Sequence, residues 1–157
     1  MSGFILDTNV ISATRLPGRN PEPMRWLQRH QGDQLWLSVF TLGEIQQGIV
    51  RASDAHSKEL LAQWLAEIRL IYREWIIPFG EGEATLWGSI VARLEMAGRN
   101  TSLVDSMIAA TALFHEATVV TRNVRDFAPF DVPVVDPCGK TKTGPDGPVP
   151  VCAQWRT

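Results

Sequence analysis

The chain has 157 residues but only two cysteines, Cys138 and Cys152, both close to its C-terminal end. A disulfide-stapled fold needs a larger set spread through the core, so the thiols are expected to be reduced and the protein cytoplasmic. No apolar run approaches the ~20 residues needed to cross a bilayer. The opening MSGFILDTNV lacks the basic and long apolar regions of a secretion signal. Positive charge is not in excess either. Fifteen Lys and Arg stand against 17 Asp and Glu, a net charge of -2, so no global basic field marks a nucleic-acid binder. Neither a G-x-G-x-x-G turn nor a Walker-type Gly-Lys-Ser/Thr follows the first apolar run, which removes the common nucleotide-binding motifs. His30, His56 and His115 lack zinc-ligand spacing to each other or to the cysteines. They are expected to be scattered surface imidazoles.

What is present suits one soluble domain with a real core: 45% apolar and 20% charged residues. Six tryptophans against one tyrosine point to core packing or a subunit interface, where indoles bury large areas. Apolar runs at Phe4–Leu6, Leu35–Val39, Trp75–Phe79, Ala117–Thr121 and Val132–Val135 read as strands, with Pro78 at a strand end or on an edge strand. Helical spacing predicts helices over 21–31, Thr41–Arg51, 55–72, Glu81–Ala97 and 103–116. Ser53 or Asp54 is the expected cap of the 55–72 helix, and Gly98 the stop after Ala97. The apolar stripe of 55–72 is Leu60, Leu61, Trp64, Leu65, Ile68 and Ile71. Alternating strands and helices imply an α/β fold with a mostly parallel central sheet of four or five strands. The domain is expected to span 1–136. Residues 137–157, rich in Gly and Pro, should form an extended or disordered tail.

Ligands of parallel sheets bind beyond the carboxyl ends of the strands. Asp7 ends the first strand, and Asn123 and Asp126 follow the fourth. A strand-end Asp can also simply cap a turn. At 100° per residue, Asp105 shares a face with Ile108, Ala109 and Ala112. A carboxylate opening such a face needs a partner, a hydrogen bond or a metal, unless it serves as a helix cap. Glu44 lies away from Leu42, Ile45 and Ile49 and taken singly reads as a solvated side chain, although Gly48 leaves a bare patch one turn on. Acids converging from separate elements would suit a hard divalent cation with oxygen ligands.

The segments ILDTNVIS, LSVFTLGEIQQGI, SLVDSMIAATAL and VVTRNVRDF, in that order, resemble the PIN-domain ribonucleases. Within them they are most similar to the VapC-type toxins of VapBC toxin–antitoxin pairs and their FitB-like branch. The resemblance covers about residues 3–135. It implies a PIN-like fold with an acidic pocket at the strand carboxyl ends holding Mg²⁺ or Mn²⁺. Asp7, Glu44 and Asp105 carry over as the core acids, and Thr8, Asn9 and Thr121 as small polar positions that hold waters or phosphate. The family's fourth acid falls on Asn123, an amide, so Asp126 is the alternative fourth ligand. Arg15, Arg122 and Arg125 are the candidates for RNA phosphates.

The implied activity is metal-assisted cleavage of RNA phosphodiesters. The implied partners are RNA, a cognate VapB-like antitoxin and a second copy of the chain. Trp26 and Trp64, on the helices around 24–31 and 41–72, are candidate antitoxin anchors or core residues. Trp87 and Leu94 are candidates for a symmetric interface. Two other readings stand beside this one. A catalytically inactive PIN-like module would bind protein or RNA without cutting. An aspartyl-nucleophile phosphotransferase would need a second Asp two residues after the first, where this chain has Asn9.

Overall fold

Apolar runs bounded by polar residues become five short parallel strands in the computed structural model, which describes residues 3–144 and 147–151. They are β1 (Phe4–Leu6), β2 (Leu35–Ser38), β3 (Ile76–Ile77), β4 (Thr118–Val120) and β5 (Val134–Val135), in the sheet order β3-β2-β1-β4-β5. Every pairing is parallel, with Leu6 beside both Leu37 and Val120. The helices are α1 (Thr8–Ser12), α2 (Pro21–Arg29), α3 (Val39–Arg51), α4 (Ala55–Ile71), α5 (Glu81–Met96), α6 (Leu103–Phe114) and α7 (Val124–Phe127). The α/β reading, the five strands and their parallel sense agree with the sequence.

Side chains alternate across a strand, and each central strand feeds two cores. Ile5 and Val119 join Ile90, Ile108, Ala109, Ala112 and Phe127 on the side of α5, α6 and α7. Leu6 and Val120 join Val10, Trp26, Leu37, Ile45, Leu65 and Ile68 on the side of α1 to α4. From β1 the chain winds outward through β2 to β3, then returns to lay β4 and β5 on the other flank. The reversal falls between β1 and β4, where a parallel sheet opens its crevice.

The local differences from expectation have physical causes. Ser38 ends β2 and its hydroxyl accepts from the Phe40 N–H, so Val39 opens α3 instead of closing the strand. Asp54 caps α4, accepting from Ser57 N at 2.8 Å, and Gly98 follows α5 at φ +71° as a left-handed stop. Pro78 directly follows β3, which is an edge strand. The stripe expected on α4 is narrower than proposed: Leu65 and Ile68 are buried, whereas Leu60 and Ile71 are exposed. Helices α1 and α7 were not expected. The histidines also differ from scattered surface groups. His30 stacks on Trp26 at 3.8 Å between ring centres, and His115 Nε2 lies 2.8 Å from the buried Glu83; His56 alone is exposed. Beyond β5, Lys140–Gly144 (β6) and Gly147–Val151 (β7) pair as an antiparallel hairpin. Cys152 lies outside the described residues.

Candidate active site

Asp7 is the first residue beyond β1, the central strand, and so projects at the reversal point of the sheet. It is 5% exposed and stands as the N-cap of α1. Both carboxylate oxygens are held. Oδ1 accepts from Thr8 N at 2.7 Å, while Oδ2 accepts from Asn9 Nδ2 and from the Thr121 hydroxyl, each at 2.7 Å. Thr121 is fully buried just after β4. Its oxygen also accepts from Asn9 Nδ2 and from the Asn123 N–H, each at 3.0 Å. Asn9 in turn accepts from the Arg122 N–H at 3.1 Å. The ends of the two central strands are thereby laced together by side chains that fix the direction of one carboxylate.

Glu44 arrives from α3. The helix is set by the Ser38 cap, and Glu44 is half-buried, accepting a hydrogen bond from the Thr8 hydroxyl. The polar atoms of Thr8, Asn9 and Thr121 are therefore all engaged on or beside the acids. Asp105 comes from the first turn of α6, half-buried at the rim of the face that buries Ile108, Ala109 and Ala112. Ser102 is the cap of that helix, accepting from the Asp105 N–H. The cap role is thus taken by a residue the sequence did not single out.

Electrostatics ties these acids together. Burial, above all, pushes the Asp7 carboxyl up from its ordinary 3.8 to about 6; hydrogen bonds from Thr121 and Thr8 oppose the rise, and the fields of Asp105 and Glu44 add to it. Asp105 is also raised, first by burial and then by Asp126 and Glu44, against a hydrogen bond from Ser102. Repulsion therefore reaches across four acids from α1, α3, α6 and α7. The ion pairs among the described residues lie elsewhere, at Arg25–Glu22, Arg73–Glu74 and His115–Glu83. Asn123 is exposed, and its N–H is bound to Thr121. Asp126, also exposed, is the nearby residue whose charge Asp105 feels.

Among the described residues, no three acids, histidines or cysteines close into a metal-ligand cage. The donor set nevertheless fits a hard divalent cation held partly through water. It is all carboxylate oxygen, it is mutually repelling, and none of its acids is paired with a cation among the described residues.

The remaining expected residues differ in exposure and in partners. Arg15 is exposed on the 3-10 turn Ala13–Arg15 that follows α1, and its guanidinium lies 5.8 Å from the Trp64 ring centre. Arg125 is exposed and Arg122 half-buried. Trp26 is buried, which removes it as a surface anchor; Trp64 is half-buried. Trp87 and Leu94 are partly buried against the core, with Trp87 Nε1 donating to Ser106 at 2.9 Å.

Comparison with known proteins gives this geometry a context. The PIN domain family pattern matches residues 4–132. The Toxin FitB of Neisseria gonorrhoeae is 32% identical over 85% of this chain and 97% of its own length. Ribonuclease VapC4 of Mycobacterium tuberculosis is 32% identical over 83% of this chain and 94% of its own length. The crystal structure of FitAcB from Neisseria gonorrhoeae superimposes with a TM-score of 0.77, covering 85% of this chain and 97% of that one at 32% identity. A match running from β1 past β4, together with relatives aligned along nearly their whole length, leads to one conclusion: this chain belongs to the PIN-domain family, in the branch of the FitB and VapC toxins.

Proposed function

We propose that this protein is a cytoplasmic endoribonuclease toxin that uses Mg²⁺ or Mn²⁺ at Asp7, Glu44, Asp105 and Asp126 to cut RNA, and that a cognate antitoxin neutralises it. The observation that carries the reading is the buried Asp7, aimed by Thr121 just beyond β4 and by Asn9 of α1, its carboxyl pushed up by burial and by the fields of Asp105 and Glu44. Like charges set together without a counter-ion raise the energy of the ionised state, and a divalent cation relieves it. Asp126, whose charge reaches Asp105, takes the fourth place in preference to the amide Asn123.

A bound cation supplies Lewis acidity toward a phosphoryl oxygen and lowers the pKa of a water. The chain's own groups do the rest. Asp7 and Asp105 would hold the cation through their carboxylate oxygens. Glu44, steadied by the Thr8 hydroxyl on Oε2, would orient the attacking water or bind a second cation. Thr121 and Asn9 keep the Asp7 carboxylate from turning, as second-layer partners of metal ligands do. The family resemblance points to RNA that is single-stranded or in loops, recognised through exposed bases and 2′-hydroxyls.

The partners in this reading are RNA, a VapB-like antitoxin and a second copy of the chain. An Arg or Lys of the antitoxin would meet the acids as counter-charge, while its apolar segment would lie on the exposed Val50, Leu60, Leu70 and Ile71 of α3 and α4. The nuclease domain spans 1–136 and the remainder is an appendage. No helix among the described residues is long and apolar enough to cross a membrane.

The test is cleavage of labelled RNA in Mg²⁺ or Mn²⁺ by the intact protein, Asp7→Asn and Asp105→Asn, with folding followed by circular dichroism. Each variant is expected to lose about 100-fold or more in rate while remaining folded. Equal cutting by Asp7→Asn would overturn the reading. RNA retained but never cut by the intact protein would favour the inactive binding module.

A further inference from the structure

One cation near this acidic rim is prepared rather than merely present. Arg15 ends the short segment that begins at Asp7: α1 and then the 3-10 turn, together spanning about 13 Å at ordinary helical rises. At one end of the segment Thr8 is bonded to Glu44 on α3. At the other, the Arg15 guanidinium lies over the Trp64 ring of α4, 5.8 Å from its centre, within the range of a cation–π contact. Trp64 is itself fixed. Its Nε1 donates to the Thr14 hydroxyl at 3.3 Å, and that hydroxyl donates to the Ile11 carbonyl at 2.7 Å. Arg15 is exposed, and none of the ion pairs among the described residues includes it. An exposed arginine pre-oriented on a ring, with no acid partner among the described residues, can bind a phosphate by two parallel hydrogen bonds.

We infer that Arg15, held on Trp64, is a phosphate subsite that grips the RNA backbone a short stretch away from the bond cut at Asp7. The inference rests on the ribonuclease reading. The net charge of -2 gives RNA no general attraction, so a few placed cations must supply the affinity. Arg15 is joined to Asp7 through one continuous helical segment, which fixes the spacing between the gripping and the cutting groups. Trp64 is a positioning residue: it acts on RNA through Arg15.

The experiment measures binding and cleavage of a fluorescent, single-stranded, mixed-sequence oligoribonucleotide over a range of salt. The proteins are the intact chain, Arg15→Gln, Trp64→Leu and Trp64→Phe, with Asp7→Asn alongside. Arg15→Gln is expected to raise Kd and KM about five-fold with kcat within about two-fold. It should also lower the slope of log Kd against log salt by about 0.7, the signature of one lost phosphate contact on a single strand. Trp64→Leu should move Kd the same way, and Trp64→Phe, which keeps a ring under the guanidinium, should restore most of it. An unchanged Kd and salt slope in Arg15→Gln overturns the inference even if the intact protein cuts RNA. Equal cutting by Asp7→Asn instead overturns the ribonuclease reading, while the binding arm still judges Arg15.

Discussion

Thr121 donates one hydrogen bond to Asp7 and accepts two others, all within 3.0 Å. Replacing it by Val leaves the Asn123 N–H and one Asn9 donor without their acceptor and frees the Asp7 carboxylate to turn. RNA cleavage by Thr121→Val is expected to fall about 10–100-fold, read from initial rates at saturating Mg²⁺. Thr41 is the opposite case. It is fully buried and its hydroxyl has no hydrogen-bond partner among the described residues. Thr41→Val substitutes a methyl for an unsatisfied group and is expected to stabilise the fold by about 1 kcal/mol in urea unfolding. The Asp7 carboxyl makes stability depend on pH. Because its pKa rises from 3.8 to about 6 on folding, the native state binds more protons between those values. Stability of the metal-free protein should therefore fall by about 3 kcal/mol as pH climbs through that window and level off above it. Asp105, raised for the same leading reason, acts in the same direction. Added Mg²⁺ should offset the loss, so its effect on Tm should be larger at pH 7.5 than at pH 4.5. An effect independent of pH would separate the cation from these acids.

At the scale of elements, the legible parts are those whose signal is strong and local. The run Phe4–Leu6 ending in Asp7, the Asp54 cap and the Gly98 stop all follow from side-chain chemistry visible in the sequence. Helix α1 is not legible in the sequence because Thr8–Ser12 is only five residues long and contains β-branched Thr8, Val10 and Ile11, whose preference for helix is weak. Its existence depends on Asp7 as cap, so the residue taken for a strand end also starts a helix. Glu44 looked solvated because helical periodicity records which face is apolar and says nothing of a Thr8 hydroxyl arriving from elsewhere. Helix α7, which carries Asp126 and follows Asn123, is illegible for a similar reason: four residues have too little period to read. The Gly98 stop supports a direct test. Gly98→Ala puts a Cβ on a residue at φ +71° and is expected to cost about 1 kcal/mol, lowering Tm by roughly 2–4 °C, with cleavage unchanged.

Across the whole molecule, the PIN match ends at residue 132 and the five-stranded sheet at Val135. A chain stopped after Asp136 is therefore expected to fold with an unchanged far-ultraviolet spectrum and to keep its Asp7-dependent cleavage. A truncated chain that aggregates would place residues 137–157 within the folding unit. The parallel order of the five-stranded sheet also sets when the acidic centre can be complete. The central strand β1 is made first, yet its neighbour β4 and the Thr121 hydroxyl that aims Asp7 lie more than a hundred residues later. A parallel partner so distant in sequence closes slowly, because a large loop must be ordered before the pairing repays it. A ribosome adding ~5–20 residues each second thus makes most of the chain before Thr121 can aim Asp7. The acidic centre is therefore among the last features of the folding unit to be completed, after Asp7 has waited through most of the chain for the hydroxyl that aims it.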